Sequence, residues 1–140
     1  MPKVSMSVPL PASAEQVWQL IGHFNALPDW HPAIEKSEVK GKGKGSVRTL
    51  KLVGGGTIEE KLEQLDDSGH AYSYRIVSSP LPVANYSATI RVHPNPDGEG
   101  CTVEWSSDFE AAGVPQSDAM ATMQGIYQSG LENLRKMFGG

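Results

Sequence analysis

One carboxylate stands in a pattern of apolar residues. Alternation along residues 57–65 places Glu60 on the same strand face as Ile58 and Leu62. Burying a charged carboxylate without a partner is costly, so Glu60 is expected to contact a partner, take up a proton or face a wet cavity. In the alternative, Glu60 lies near an open edge of the sheet and points into solvent.

Tyrosine hydroxyls are predicted to converge on the same face. Tyr72 and Tyr74 alternate inward on one strand, and Tyr86 does so on the next. A mostly apolar lining with a few convergent polar groups is typical of a small-molecule site. If the protein is an enzyme, Glu60 is the candidate general acid or base, with its pKa raised by burial, and Tyr86 would polarise a carbonyl.

The histidines and glycines indicate no metal, phosphate or other cofactor site. The four histidines are scattered, and only His31, beside Trp30, is near the expected cavity. The glycines at 41–45 alternate with Lys40, Lys42 and Lys44 and predict a solvated hairpin turn. Gly54, Gly55 and Gly56 give a strand connection extra mobility, as a gate over a cavity mouth or a flexible hairpin would need.

Composition limits the function classes. The net charge of −4 disfavours a surface that binds nucleic acid through phosphate contacts. Cys101 is the only cysteine, which excludes an internal disulfide. Residues 1–140 are the length of one domain, and no apolar run approaches a membrane span. We expect a single cytoplasmic domain with no membrane insertion, as a monomer or homodimer.

Apolar and polar residues alternate with the two-residue period of β-strands through the middle of the chain. Short connections between six consecutive strands require an antiparallel meander, to which the first strand adds a seventh, ended by Pro9 and Pro11. A capping box opens a helix at Ser13, and a helical turn within 25–32 tucks Trp30 inward. The predicted strands cover 3–8, 34–40, 46–53, 57–65, 71–77, 83–92 and 101–110.

A long amphipathic helix, Gln116–Phe138, ends the chain. Pro115 occupies its predicted first position, and Gly130 lies on the flank of its apolar stripe. That stripe comprises Met120, Met123, Ile126, Tyr127, Leu131, Leu134, Met137 and Phe138. The helix is long enough to cover one face of a curved sheet, which predicts an α+β fold.

Several segments together resemble the START-like/Bet v1-like superfamily, also called SRPBCC or polyketide cyclase/dehydrase and lipid transport proteins. They are residues 11–18, 21–32, 45–50, 60–67, 72–76 and 85–86, which span nearly the whole chain. The pattern is most similar to a bacterial branch that includes an accessory protein of methanol oxidation. The resemblance implies the helix-grip fold, in which a seven-stranded antiparallel sheet wraps around the C-terminal helix.

A more distant resemblance is to the plant abscisic-acid receptors. It implies that Glu60 and Tyr86 form the polar side of a pocket, that 53–56 is a gate and that 80–83 is a second mobile loop. Glu35 stands where those receptors have the lysine that anchors the hormone's carboxylate. A pocket with Glu35, Glu60 and tyrosine hydroxyls would suit a neutral or cationic ligand better than an acid.

Three functions remain open from the sequence. The first is binding of a small, largely apolar molecule between the sheet and the last helix. The second is an aromatase/cyclase or dehydratase activity, and the third is an accessory role in which the protein acts on a protein partner. The fold alone cannot decide among these three functions. The expected ligand-binding residues are Trp30, Glu35, Leu50, Leu52, Ile58, Glu60, Leu62, Tyr72, Tyr74, Ile76, Leu81, Tyr86, Ala88, Trp105, Met123, Ile126, Tyr127 and Gly130.

Overall fold

The computed structural model describes residues 3–96 and 98–139. Met1, Pro2, Asp97 and Gly140 belong to the predicted domain 1–140 but lie outside the described residues. The strands are β1 (Lys3–Leu10), β2 (Ile34–Lys40), β3 (Val47–Leu52), β4 (Thr57–Asp66), β5 (Ala71–Ser78), β6 (Val83–Pro94) and β7 (Cys101–Ala111). The helices are α1 (Ala14–Ile21), α2 (Leu27–Trp30) and α3 (Gln116–Met137).

The strands form one antiparallel sheet in the order β1-β7-β6-β5-β4-β3-β2. The curved sheet and the long C-terminal helix are those of the predicted helix-grip fold, which is thereby confirmed. The prediction that Pro9 ends the first strand was wrong, because β1 continues to Leu10 with Pro9 opposite Thr102. An edge strand tolerates this proline, since its missing N–H need not bond to a second neighbour.

The N-terminal helices follow the predicted signals. Ser13 caps α1, and the Ser13 and Gln16 side chains each bond to the other residue's backbone N–H. The helix ends at Ile21, earlier than Phe24, because Gly22 is its C-terminal cap. In α2, Trp30 is directed inward and is 1% exposed, as the aromatic, proline-rich segment predicted.

Helix α3 lies across the concave face of the sheet. Pro115 is its N-terminal cap with extended backbone, not its first helical residue, and Phe138 is its C-terminal cap. Met137 is 47% exposed, so the predicted stripe was too wide at that end. The buried residues of α3 are Ala119, Met123, Tyr127, Gly130, Leu131 and Leu134. Among the described residues, no helix has the length and apolar character to cross a membrane.

Gly130 allows α2 and α3 to approach closely. A Cβ atom at Gly130 would lie 2.6 Å from His31 Cδ2 and 3.0 Å from Trp30 Cζ3. The Asn133 side-chain amide also donates to the Trp30 carbonyl at 2.8 Å. Gly130 is therefore buried in the contact face itself and not on its flank.

We expect Gly130→Ala to destabilise the fold by about 1–3 kcal/mol, because the added methyl group overpacks the contact with two rigid rings. Gly125→Ala, on the same helix, is the matched control. Apart from its chain neighbours and the backbone of its own helix, no atom lies within 4 Å of its added Cβ. The better helix propensity of alanine should therefore stabilise the protein by about 0.8–1 kcal/mol. Urea denaturation of both variants measures this, and equal shifts in the same direction would contradict the close-approach explanation.

Candidate functional site

A small cavity lies between the concave face of the sheet and α3. Its volume of about 30 Å³ has room for one or two waters, since a water needs roughly 10–15 Å³. Sites for drug-sized ligands have about 300–1,000 Å³. The lining residues are Leu27, His31, Ile34, Leu50, Ile58, Glu60, Tyr74, Ile76, Leu81, Tyr86, Trp105, Met123, Ile126 and Tyr127.

Some of the expected ligand-binding residues do not line this cavity. Glu35 is exposed, because a register irregularity in β2 between Ile34 and Lys36 turns it away. The other residues outside the lining are Trp30, Leu52, Leu62, Tyr72, Ala88 and Gly130, together with the glycines of the predicted gate. Among the described residues that line the cavity, Glu60 is the one that carries a carboxylate.

The cavity also contains residues that the sequence analysis did not select. Leu27 begins α2, His31 directly follows that helix, and Ile34 begins β2. The proximity of His31 to Trp30 indicated that this segment is near the cavity. Leu27 and His31 lie in a stretch that is too short for a periodic pattern to identify individual side chains.

Glu60 forms a buried ion pair with Arg48. The register of β3 and β4 places the two residues directly opposite each other. Arg48 Nε and one terminal nitrogen lie 2.8 and 2.7 Å from the same atom, Glu60 Oε1. Within residues 3–96 and 98–139, Glu60 Oε2 has no hydrogen-bond partner. Glu60 therefore keeps one free acceptor atom beside the cavity.

Aromatic rings surround the Arg48 guanidinium. Its central carbon lies 4.2 Å from the Phe24 ring centre, 4.9 Å from Tyr74 and 5.7 Å from Tyr72. It also donates to the Phe24 carbonyl at 2.8 Å. Cation–π contacts and hydrogen bonds compensate part of the cost of burying this charge. The sequence analysis placed Arg48 on the inner face without identifying it as the partner of Glu60.

A chain of hydroxyl groups crosses the cavity. Trp105 Nε1 donates to the Tyr74 hydroxyl at 3.0 Å, and the Tyr74 and Tyr86 hydroxyls are 3.4 Å apart. The Tyr86 hydroxyl is bonded in turn to that of Tyr127. Because an indole N–H only donates, Tyr74 must accept at that end of the chain. Either hydroxyl can donate in the contact between Tyr74 and Tyr86.

Burial keeps these tyrosines neutral. It raises the pKa of Tyr74 and Tyr86 well above the ordinary value, and it raises the pKa of Tyr127 as well. Burial also raises the pKa of Glu60, and the Arg48 guanidinium opposes that rise. The site thus combines neutral hydroxyl donors with one carboxylate whose charge Arg48 balances.

His31 connects the cavity wall to α3. Its Nε2 lies 2.7 Å from the Ile126 carbonyl, and its Nδ1 accepts from the Ala33 N–H at 3.1 Å. These partners require the neutral tautomer with the proton on Nε2. Burial lowers the pKa of His31, and the bond to Ile126 opposes the change.

Two loops meet beside the cavity near Leu81. Gly54, Gly55 and Gly56 all have positive φ, from 87° to 108°, which favours glycine at each position. A Cβ atom on Gly56 would lie 3.7 Å from Pro80 Cγ. The loop between β3 and β4 therefore contacts the loop that precedes β6.

Comparison of the sequence with known protein families identifies the family of this chain. A family model described as polyketide cyclase / dehydrase and lipid transport matches residues 1–139. The chain belongs to this family. The match confirms the superfamily that the sequence segments indicated.

Relatives include plant receptors and bacterial proteins. Abscisic acid receptor PYL7 of Arabidopsis thaliana is 32% identical over 101 residues, covering 69% of this chain and 48% of that protein. PYL10 of the same plant is 37% identical over 82 residues, covering 55% of this chain and 45% of that receptor. The chain spans about half the length of these plant relatives.

Among solved structures, the protein XoxI from Bacillus cereus has a TM-score of 0.94 and 40% identity, covering 99% of this chain and 96% of that chain. A protein from Bacillus thuringiensis has a TM-score of 0.93 and 40% identity, covering 99% of this chain and 100% of that chain.

We expect Arg48→Met to lower the free energy of unfolding by about 3–5 kcal/mol, because it leaves the Glu60 carboxylate buried without its cation. Adding Glu60→Gln to this variant should restore part of the loss, since the amide is uncharged. Chemical denaturation measures both variants, with Arg91→Met, at an exposed arginine, as the control. Additive effects of the two substitutions would contradict a coupled buried pair.

His31 should make stability depend on pH. Its pKa is lowered from 6.5 in the folded protein, so the unfolded state binds the proton more readily. The stability that neutral His31 contributes is present above pH 6.5 and is lost as the pH falls through the folded-state pKa.

Unfolding curves between about pH 7.5 and 5 test this. As the pH falls over this range, the free energy of unfolding should decrease less in His31→Gln than in the wild type. Subtracting one curve from the other cancels the effect of the other titrating groups, which both proteins share. Parallel curves would contradict the assignment of a buried neutral His31.

Proposed function

We propose that the protein binds a small, largely apolar and uncharged molecule between the sheet and α3. The observation that carries this proposal is the composition of the cavity lining. Apolar side chains form most of the wall, and the polar atoms of Glu60, Tyr74, Tyr86 and Tyr127 converge on the same space. This is the arrangement by which proteins orient an apolar ligand through a few hydrogen bonds.

The charges at the cavity favour an uncharged ligand. Arg48 and Glu60 neutralise each other, and Glu35, which would have added negative charge, is exposed. The sequence predicted a neutral or cationic ligand, and this charge balance favours the neutral one. A ligand hydroxyl or N–H group would donate to Glu60 Oε2. A ligand carbonyl would accept from one of the tyrosine hydroxyls, which would then give up its hydrogen bond to the neighbouring tyrosine.

Ligand entry requires the cavity to enlarge from its volume of about 30 Å³. The contact between Gly56 and Pro80 marks where the two loops would separate. Three consecutive glycines without Cβ atoms allow this loop to change conformation with little steric cost. The loops would therefore act as the gate, with the bound ligand holding the cavity open.

The plant relatives are named as receptors of a small molecule, abscisic acid. This supports a ligand-binding role for the same fold here. Abscisic acid is a carboxylic acid, so its charge would meet the Glu60 carboxylate unless Arg48 changed partners. We therefore use it as the acidic comparison ligand.

Fluorescence titration with N-phenyl-1-naphthylamine, an uncharged apolar probe with one N–H group, tests the proposal. We expect saturable binding, displaced by any apolar molecule that native mass spectrometry finds in the purified protein. Glu60→Gln and Tyr86→Phe should weaken binding about tenfold or more, because each removes a buried polar partner. Abscisic acid should compete poorly.

Glu59→Gln is the matched control, since Glu59 is the exposed neighbour on the opposite face of β4. It should bind the probe as the wild type does. Wild-type affinity in both Glu60→Gln and Tyr86→Phe, or absence of saturable binding, would contradict the proposed site.

An enzymatic role is the second candidate, favoured by the raised pKa of Glu60 and its free Oε2 atom. In that case Glu60 would transfer a proton and a tyrosine would polarise a ligand carbonyl. Mass spectrometry of the ligand after incubation distinguishes the two roles. A chemically altered ligand with the wild type, but not with Glu60→Gln, would support catalysis, and recovery of unaltered ligand supports binding.

A further inference from the structure

A basic groove lies on the outer face of the sheet, away from the cavity. Lys61 on β4 stands directly opposite Arg75 on β5. The groove around them has a volume of about 670 Å³. Its lining residues are Lys44, Gly45, Lys61, Leu62, Glu63, Gln64 and Arg75.

Backbone hydrogen bonds hold Lys44 beside this pair. Gly45 N–H donates to the Leu62 carbonyl at 2.8 Å, and Leu62 N–H donates to the Ser46 carbonyl at 2.9 Å. Gly45 has a φ of 89°, a conformation in which glycine is strongly preferred. The lysine-rich hairpin, which the sequence suggested was only a solvated turn, thus brings a third cation to the groove.

These cations lack acidic partners. In the part of the chain that the structure describes, no ion pair involves Lys44, Lys61 or Arg75. Glu63 is the only acid in the lining, and it accepts from the Ser87 hydroxyl at 3.3 Å. Like charges directly opposite each other on paired strands destabilise a sheet. The groove therefore concentrates positive charge on a chain whose net charge is −4.

We propose that this groove binds the phosphate group of a small soluble molecule. The planar Arg75 guanidinium matches two phosphate oxygens, and Lys44 and Lys61 supply mobile point charges. The Gln64 amide offers a further donor. An anion between Lys61 and Arg75 would remove their mutual repulsion, which is the physical reason to place it there.

The surroundings favour a small anion over a polyanion. A chain with a net charge of −4 repels a long nucleic acid outside this local groove. The groove is concave and lies on a different sheet face from the cavity. Phosphate binding here is therefore independent of the ligand proposed for the cavity.

The test is titration of the ¹⁵N-labelled full chain with inorganic phosphate and phenyl phosphate, with chloride keeping the ionic strength constant. We expect saturable amide shifts at Gly45, at 61–64 and at Arg75. Lys61→Gln and Arg75→Gln should each raise the dissociation constant about tenfold, because each removes a charged donor. Shifts that do not saturate, or that chloride reproduces, would overturn the proposal.

Charge variants make the test sharper. Glu63→Gln should tighten phosphate binding by removing the one carboxylate, and Lys51→Gln, an exposed lysine outside the groove, should leave it unchanged. Lys61→Glu should abolish binding while raising the melting temperature, because it creates an attractive cross-strand pair with Arg75. Retention of wild-type affinity in Lys61→Glu would overturn the assignment.

Two further measurements ask whether the phosphate belongs to a soluble molecule or to a lipid, and whether the groove binds independently of the cavity. Phosphatidylcholine vesicles containing phosphatidic acid present the same group on a membrane. Binding to these vesicles without a saturable response to soluble phosphates would overturn the proposal that the ligand is a small soluble molecule. N-phenyl-1-naphthylamine affinity should be the same in Lys61→Gln as in the wild type.

Discussion

The buried ion pair between Arg48 and Glu60 is the constraint on which the site depends. Two charges removed from water need good geometry and further hydrogen bonds to be tolerated. Cross-strand register supplies the geometry, and the Phe24 carbonyl and aromatic rings supply the additional contacts. Since the guanidinium uses only one Glu60 oxygen, the pair holds the carboxylate in place and still leaves an acceptor at the cavity.

The pair also divides the space beneath the sheet. On its cavity side lie Tyr74 and Tyr86, and on its other side Phe24 and Tyr72 pack toward α1. Tyr72 is consequently inward-facing without lining the cavity. Glu60 thus lines the cavity and Arg48 does not, while Leu81 brings the loop before β6 to the cavity wall.

Helix α3 closes the cavity through a second set of contacts. His31 bonds to the Ile126 carbonyl, and Gly130 lets the His31 and Trp30 rings lie against the helix. Trp105 stacks on Tyr127 at 4.3 Å between ring centres. The wall near α3 is therefore closely packed, so the proposed ligand entry is assigned to the loops.

The sequence by itself determined the antiparallel meander of the six later strands, the inward faces of β4 to β7 and the burial of most of the α3 stripe. Those features follow from periodicity and short connections, which are local properties. It also identified Glu60 and the inward tyrosines, because a polar residue among alternating apolar ones is visible in the pattern. Pro9 within β1 was not predictable, since only the sheet order shows that β1 is an edge strand.

Tertiary structure alone decided which of these groups meet. Strand register made Arg48 the partner of Glu60, and an irregularity in β2 turned Glu35 outward. Contacts between distant residues, such as His31 with Ile126 and Trp105 with Tyr74, depend on how α3 and the strands pack. The cavity volume depends on the same packing. No local pattern encodes these quantities, because each is set by several elements at once.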